Sequence, residues 1–234
     1  ENKKHFDVII IGGSYAGLSA GMALGRSLKS TLIIDSSNPC NKQTPHSHNF
    51  LTNDGKTPKE ISNNARQEVT KYTSITFYNG LAIKGKKIKS GFEITTQSHK
   101  TFTSKKLIIA TGLKDILPDI PGLKECWGIS IIHCPYCHGY EVKNKKTGIL
   151  GNGDSGFEFS KMIYNWTKDL TLFTNGKSTL TEEQTLKLHH HNIKINETKI
   201  QCFTHKNGTL ENIVLKNDKT HAIETMYFKA PCTQ

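Results

Sequence analysis

Phe6-Asp7-Val8-Ile9-Ile10-Ile11-Gly12-Gly13-Ser14-Tyr15-Ala16-Gly17 decides the fold of this chain. Phe6 to Ile11 is a short, nearly continuous, β-branched apolar run, the pattern of a strand buried on both faces of a parallel sheet. The glycine turn that follows opens Leu18 to Leu24, a helix rich in small residues. Strand, glycine turn and small-residue helix make the first half of a dinucleotide-binding βαβ unit. Its glycines let backbone approach a pyrophosphate, and the helix N-terminus offers free N–H groups and partial positive charge. Thr31 to Asp35 supplies the second strand and ends in a carboxylate about 20 residues after the glycines, where such a motif places its ribose-binding acid. Ser14 stands at the middle-glycine position of G-x-G-x-x-G, with Gly13 as a partial substitute. Gly12, Gly13, Ser14, Ala16, Gly17 and Asp35 are therefore the first candidate cofactor residues.

The same grammar returns further along the chain. Thr147 to Leu150 reads as a strand, Gly151-Asn152-Gly153-Asp154-Ser155-Gly156 as a full G-x-G-x-x-G, Phe157 to Trp166 as a helix and Leu170 to Phe173 as the next strand. Gly151, Gly153, Asp154, Ser155 and Gly156 mark a second nucleotide site. Thr174-Asn175-Gly176-Lys177 carries neither the acid that favours NAD nor an arginine for the 2′-phosphate of NADP, and Lys177 leans toward NADP. Leu107 to Gly112 is a further strand running into the small turn Ala110-Thr111-Gly112, where backbone again comes close to a ligand. The fold class that follows is α/β, with two Rossmann-like, dinucleotide-binding three-layer domains: residues 1–113 with the first nucleotide site, and 114–234 with the second and a cysteine pair.

That pair lies between the two glycine motifs, in His133-Cys134-Pro135-Tyr136-Cys137-His138-Gly139-Tyr140-Glu141. Two cysteines at this spacing close a small disulfide ring, and the pairing lowers a thiol pKa from about 8.5 to roughly 3.5 to 7.5. Cys-Pro-Tyr-Cys also resembles a glutaredoxin centre, Cys-x-x-Cys-His a c-type haem attachment site, and the cysteines with His133 and His138 a zinc site. A redox disulfide is preferred to zinc, and zinc to haem.

Elsewhere the chain is ordinary. Its 234 residues suffice for a substantial core without staples, so Cys40, Cys126, Cys202 and Cys232 read as thiols in a reducing compartment. The apolar run at the N-terminus is too short for a signal peptide, and nothing approaches a membrane helix. A cytoplasmic protein without membrane partners is expected. The net charge of +11, from 31 basic and 20 acidic residues, is spread along the sequence with no nucleic-acid module, so it reads as a lysine-rich surface that attracts anionic cofactors. The polar stretch from Pro39 to Gly55 is too long for a plain connector and is expected to touch a ligand. Thr57-Pro58-Lys59-Glu60 reads as a capping box, and Ile61, Ala65, Val69 and Tyr72 as the packed face of the helix behind it.

Taken in order, Ile10 to Gly17 with Asp35, the His48-Asn49-Phe50 loop, Ala110-Thr111-Gly112, the Cys134 and Cys137 pair, and Gly151 to Gly156 resemble the low-molecular-weight thioredoxin reductase family of flavoproteins. The stretch Cys-Pro-Tyr-Cys-His-Gly-Tyr-Glu resembles its branch of gliotoxin-type dithiol oxidases. The resemblance implies FAD in the first domain, with Asn49 among its contacts, NADPH or NADH in the second, and a homodimer. It implies hydride transfer to FAD, reduction of the Cys134–Cys137 disulfide by the flavin, and exchange with a thioredoxin-like protein or a small-molecule disulfide or dithiol. Cys137 then faces the flavin, Cys134 meets substrate, and His138 replaces the family's aspartate acid/base. A rotation between domains is expected between half-reactions. Three departures stand beside this. The paired arginines for NADP are absent, which leaves open an oxidase that passes electrons to oxygen. The second piece of the FAD domain, with its Gly-Asp motif, does not follow Gln234. The sequence also lacks a starting methionine, so part of a longer chain is expected. A non-enzymatic redox-sensing module is the remaining alternative.

Overall fold

The computed structural model describes residues 4–234. The chain forms two compact units: the chain up to Lys42 together with Lys56–Lys114 and Gln234, and Gln43–Gly55 together with Asp115–Thr233. The segment 43–55, which chain order alone assigns to the first domain, packs with the second.

The first unit contains β1 (His5–Ile11), α1 (Tyr15–Arg26), β2 (Thr31–Asp35), α2 (Pro58–Thr70), β3 (Ile75–Asn79), β4 (Ala82–Ile88), β5 (Gly91–Thr96) and β6 (Thr101–Ile109). Its sheet runs β3-β2-β1-β6-β5-β4. The first four strands are parallel, with Ile10 opposite both Ile33 and Ile108, and β5 and β4 add antiparallel. One face of β1 and β2 packs Val8, Ile10 and Ile33 with Leu18 of α1 and Val69 of α2. The other packs Phe6, Ile9, Leu32 and Ile34 with Ile94 of β5 and Phe102 of β6. Burial on both faces explains why these strands are unbroken runs of isoleucine, each fully buried side chain contributing roughly 1.5–3 kcal/mol. Helix α2 starts as the sequence predicts, with Thr57 Oγ1 accepting from Glu60 N at 3.2 Å and Glu60 Oε2 accepting from Thr57 N at 2.8 Å.

Strand β7 (Lys114–Asp115) spans the boundary, and the second unit continues through α3 (Leu123–Cys126), β8 (Ile131–Ile132), α4 (Pro135–His138), β9 (Thr147–Leu150), α5 (Gly153–Ile163), β10 (Leu170–Phe173), α6 (Glu182–His190), β11 (Lys194–Asn196), β12 (Ile200–Lys206), β13 (Thr209–Leu215), β14 (Thr220–Ala222), β15 (Thr225–Phe228) and β16 (Cys232–Thr233). Its parallel sheet has the order β11-β10-β9-β15-β8, beside an antiparallel sheet β12-β13-β14. The Asn207-Gly208 turn joins β12 to β13, with both residues at positive φ as a two-residue hairpin turn requires. Strand β8 is two residues long and ends at Ile132, immediately before the cysteine stretch. That placement launches the cysteine turn from the carboxyl edge of the parallel sheet, the edge where open α/β folds collect their ligands.

Candidate active site

In the first unit the carboxyl ends of all four parallel strands converge. Gly12 and Gly13 after β1, Asp35 at the end of β2, Asn79 at the end of β3, and Ala110 and Thr111 after β6 line one cleft of about 570 Å³. The strand order reverses between β1 and β6, so the cleft sits at the topological switch point of the sheet. Gly12 N donates to Ile34 O at 2.8 Å, and Ala110 N donates to Ile11 O at 2.8 Å. These bonds fix the turn between its neighbouring strands. Gly12 has φ +103°, and a Cβ there would collide with the Ala110 carbonyl. A Cβ on Gly13 would lie 2.8 Å from Asp35 Cβ, and Gly13 N donates to Asp35 Oδ1 at 3.1 Å. Only glycine lets the carboxylate lie under the turn. A cradle that a single methyl group would fill, with a carboxylate at its edge, fits the pyrophosphate and ribose of a dinucleotide.

Ser14 also lines this cleft. Gly17 does not: it is buried in α1, where a Cβ would collide with the Gly12 carbonyl, so its role is to bring helix and turn together. Ala16 is exposed on the same helix, and Gly112 is exposed just beyond Thr111. Sequence reasoning missed Lys59, Ser62, Asn63 and Arg66 of α2, which line the cleft, because it read α2 from its apolar face alone. Their i, i+3, i+4, i+7 spacing was the available signal. Arg66 is held by its guanidinium lying 4.1 Å over the Phe77 ring.

In the second unit Cys134 and Cys137 form a disulfide, with Cα atoms 5.3 Å apart. Cys134 caps α4 and Pro135 occupies its first turn, where a missing N–H costs nothing. Cys137 N donates to Cys134 Sγ at 3.2 Å, so a backbone donor faces this sulfur. The imidazole of His138 is half-buried, and its pKa lies below the ordinary 6.5, first from burial and then from the nearby His133 and His48 rings, with Glu141 opposing. The ring is therefore neutral at neutral pH.

Beside the pair is a pocket of about 290 Å³ that sequence reasoning did not foresee. Tyr136 and Trp166 meet edge to face at 5.5 Å and form one wall with Tyr140. His48, Asn49 and Asp54 from the 43–55 segment form another with Glu141. His48 Nδ1 is 3.6 Å from both Asp54 Oδ1 and Glu141 Oε1, which ties the segment to the residues after α4. Asn49 thus stands with the redox turn rather than with the other cofactor candidates. Its N–H donates to Asp54 Oδ1 at 2.8 Å.

The second glycine motif has the expected form. A Cβ on Gly151 would come within 3.1 Å of Gly156 Cα, so the glycines pack α5 tightly on β9. Asp154 and Ser155 are exposed in the first turn of α5, and Asp154 Oδ1 accepts from Gln184 Nε2 at 2.7 Å. The Lys177 carbonyl accepts from Asn152 Nδ2 at 2.9 Å. Among the described residues no group of three or more His, Cys, Asp or Glu is placed to hold a metal ion, and no helix is long and apolar enough to cross a membrane.

Two glycine turns of nucleotide type flank a disulfide, and comparison with known sequences gives the family. The chain belongs to the pyridine nucleotide-disulphide oxidoreductase family, whose pattern it matches over residues 6–230. It is 36% identical over 185 residues to "Thioredoxin reductase tcpT" of Claviceps purpurea, which covers 76% of this chain and 58% of that protein. The chain thus spans less than two thirds of that relative's length. Among solved structures, a putative thioredoxin reductase from Bacillus anthracis is 30% identical, with a TM-score of 0.94 over 97% of this chain and 77% of that one. An oxidoreductase from Agrobacterium tumefaciens is 35% identical, with a TM-score of 0.91 over 97% and 76%.

Proposed function

We propose that this chain carries the flavin-binding and disulfide-bearing machinery of an FAD-dependent thiol–disulfide oxidoreductase resembling thioredoxin reductases. The observation that carries the reading is the Cys134–Cys137 disulfide with the neutral imidazole of His138 in the next position. The fit of the first cleft to a dinucleotide supports FAD as the group held there by Gly12, Gly13, Ser14, Asp35, Ala110 and Thr111. FAD, when bound, exchanges two electrons with the cysteine pair.

The chain's own residues then perform disulfide exchange. A substrate thiolate attacks Cys134 Sγ, the Cys134–Cys137 bond breaks, and Cys137 leaves as thiolate. A second substrate thiol attacks the mixed disulfide, so a substrate disulfide departs and Cys134 becomes a thiolate. His138 takes up a proton from an attacking thiol. Run backwards, the same steps reduce an external disulfide, carried by a thioredoxin-like protein or by a small molecule. The aromatic wall of Tyr136, Tyr140 and Trp166 beside the pair suits a compact substrate. The free thiols Cys40, Cys126, Cys202 and Cys232 support a reducing compartment such as the cytoplasm.

Two electron routes remain: NADPH or NADH seated on Gly151 to Gly156 with Lys177, or a dithiol that reduces the pair and a final transfer to oxygen. The hydrogen bonding of the second glycine loop favours the dithiol route. Purified full-length protein tests the function under anaerobic conditions. A yellow protein that bleaches with a dithiol supports it, and a colourless one refutes it.

The pH profile gives an independent check. His138 serves as base only when neutral, and its pKa is depressed, so kcat/KM is full at neutral pH and falls only as pH drops through a midpoint below 6.5. In His138→Gln the rate drops and this acid limb disappears. A limb that persists unchanged in the variant assigns it to another group.

A further inference from the structure

We infer that the second glycine loop is closed by the chain itself, with Asn152 and Thr179 occupying the seat of a nicotinamide pyrophosphate, so that NADPH and NADH do not bind there. The middle residue of this G-x-G is asparagine, and its side-chain carbonyl does what a phosphate oxygen does in a nucleotide complex. Asn152 Oδ1 accepts from Gly153 N at 2.9 Å, from Thr179 N at 2.9 Å and from Thr179 Oγ1 at 3.2 Å. The other half of the same amide donates to Lys177 O at 2.9 Å. One side chain thereby occupies the first N–H of α5 and pins the loop after β10 across the turn.

Space acts in the same direction. Gly153 has φ +54°, and the room its missing Cβ leaves is taken by Thr179 Oγ1, 2.9 Å from the position that Cβ would have. A dinucleotide would bring phosphate charge to a rim that already carries Asp154, bonded to Gln184, and Glu197, whose Oε2 accepts from Ser178 N at 3.1 Å. The chain has two arginines, Arg26 and Arg66, both in the first unit, so no guanidinium fork is available to a 2′-phosphate. Lys177 is a cation of this rim, and Lys199 reaches it with Cε 3.9 Å from the Cβ position of Gly176, so the case rests on space and hydrogen bonding rather than on charge. To enter, a nucleotide must displace the four hydrogen bonds of the Asn152 amide.

The inference deepens the functional reading above by fixing where electrons do not come from, yet it stands on hydrogen bonds independent of flavin. Isothermal titration of NADPH and of NADH into flavin-loaded full-length protein tests it. The wild type gives no saturable binding at millimolar nucleotide. Asn152→Gly, which removes the internal acceptor, gains affinity by about tenfold or more. Thr179→Gly, at an exposed position, gains in the same direction and decides the matter if Asn152→Gly fails to fold. Low-micromolar binding by the wild type overturns the inference, as does the absence of any gain in a folded variant. Bleaching of the flavin by dithiol is read separately. A yellow, dithiol-bleached protein that binds NADPH tightly sinks only the closed loop, whereas a colourless protein that ignores NADPH sinks only the flavin reading.

Discussion

Cys134→Ser and Cys137→Ser are each expected to lower thiol–disulfide turnover by about a thousandfold or more, as loss of a covalent nucleophile does, while flavin content stays at the wild-type level. The second half of that result follows from the fold. The pair sits on a four-residue helix of the second unit, and the cleft that fits the dinucleotide is built by the first. The two variants differ in what they trap. With Cys137 replaced, Cys134 attacks a disulfide and no neighbour resolves it, so a mixed disulfide accumulates and mass spectrometry finds it on Cys134. With Cys134 replaced, the sulfur that receives the Cys137 N–H bond is gone, and little adduct forms. Wild-type turnover in either variant, or an adduct that prefers Cys137, overturns the assignment of roles. Cys40→Ser, an exposed free thiol, is the matched control and leaves turnover unchanged.

Gly12→Ala is expected to destabilise the first unit by roughly 2–4 kcal/mol and to yield protein without flavin. The backbone at φ +103° disfavours any L side chain, and the added methyl group meets the Ala110 carbonyl, which cannot retreat because its strand is bonded to β1 through Ala110 N and Ile11 O. Gly112→Ala separates the two contributions. Gly112 also has positive φ, +72°, but nothing lies within 4 Å of its Cβ position, so this variant bears only the conformational cost of about 1–2 kcal/mol and keeps its flavin. Denaturant titration and flavin absorbance measure both. Equal losses in the two variants remove the close approach of turn and strand as the cause.

Much of this was legible in one dimension because the signals are local. The buried run of β1, the glycine turn, Asp35 at the end of β2 and the Thr57 capping box each depend on neighbours within a few residues or on a fixed βαβ spacing. The Asn207-Gly208 turn is likewise dictated by the positive φ that its two residues tolerate. The cysteine pair closes over three positions, a spacing that announces itself. Strand β6 was legible only at its end: the sequence reading began it at Leu107, whereas it starts at Thr101, because its first half alternates polar residues against the antiparallel β5.

By itself the sequence determined that this is an α/β chain with two glycine turns of nucleotide type and a Cys-x-x-Cys pair between them. Tertiary structure alone placed β15 between β9 and β8, turned the polar stripe of α2 toward the first cleft, seated the 43–55 segment against the redox turn through His48 and Glu141, and closed the second glycine loop. The last case shows the physical reason. Gly151 to Gly156 reads as an open phosphate seat because a motif records only which backbone groups are free of side chains. Whether those groups are free of partners depends on Thr179, 27 residues away from Asn152, and a contact at that distance is created by the packing of strands and helices rather than by any local preference.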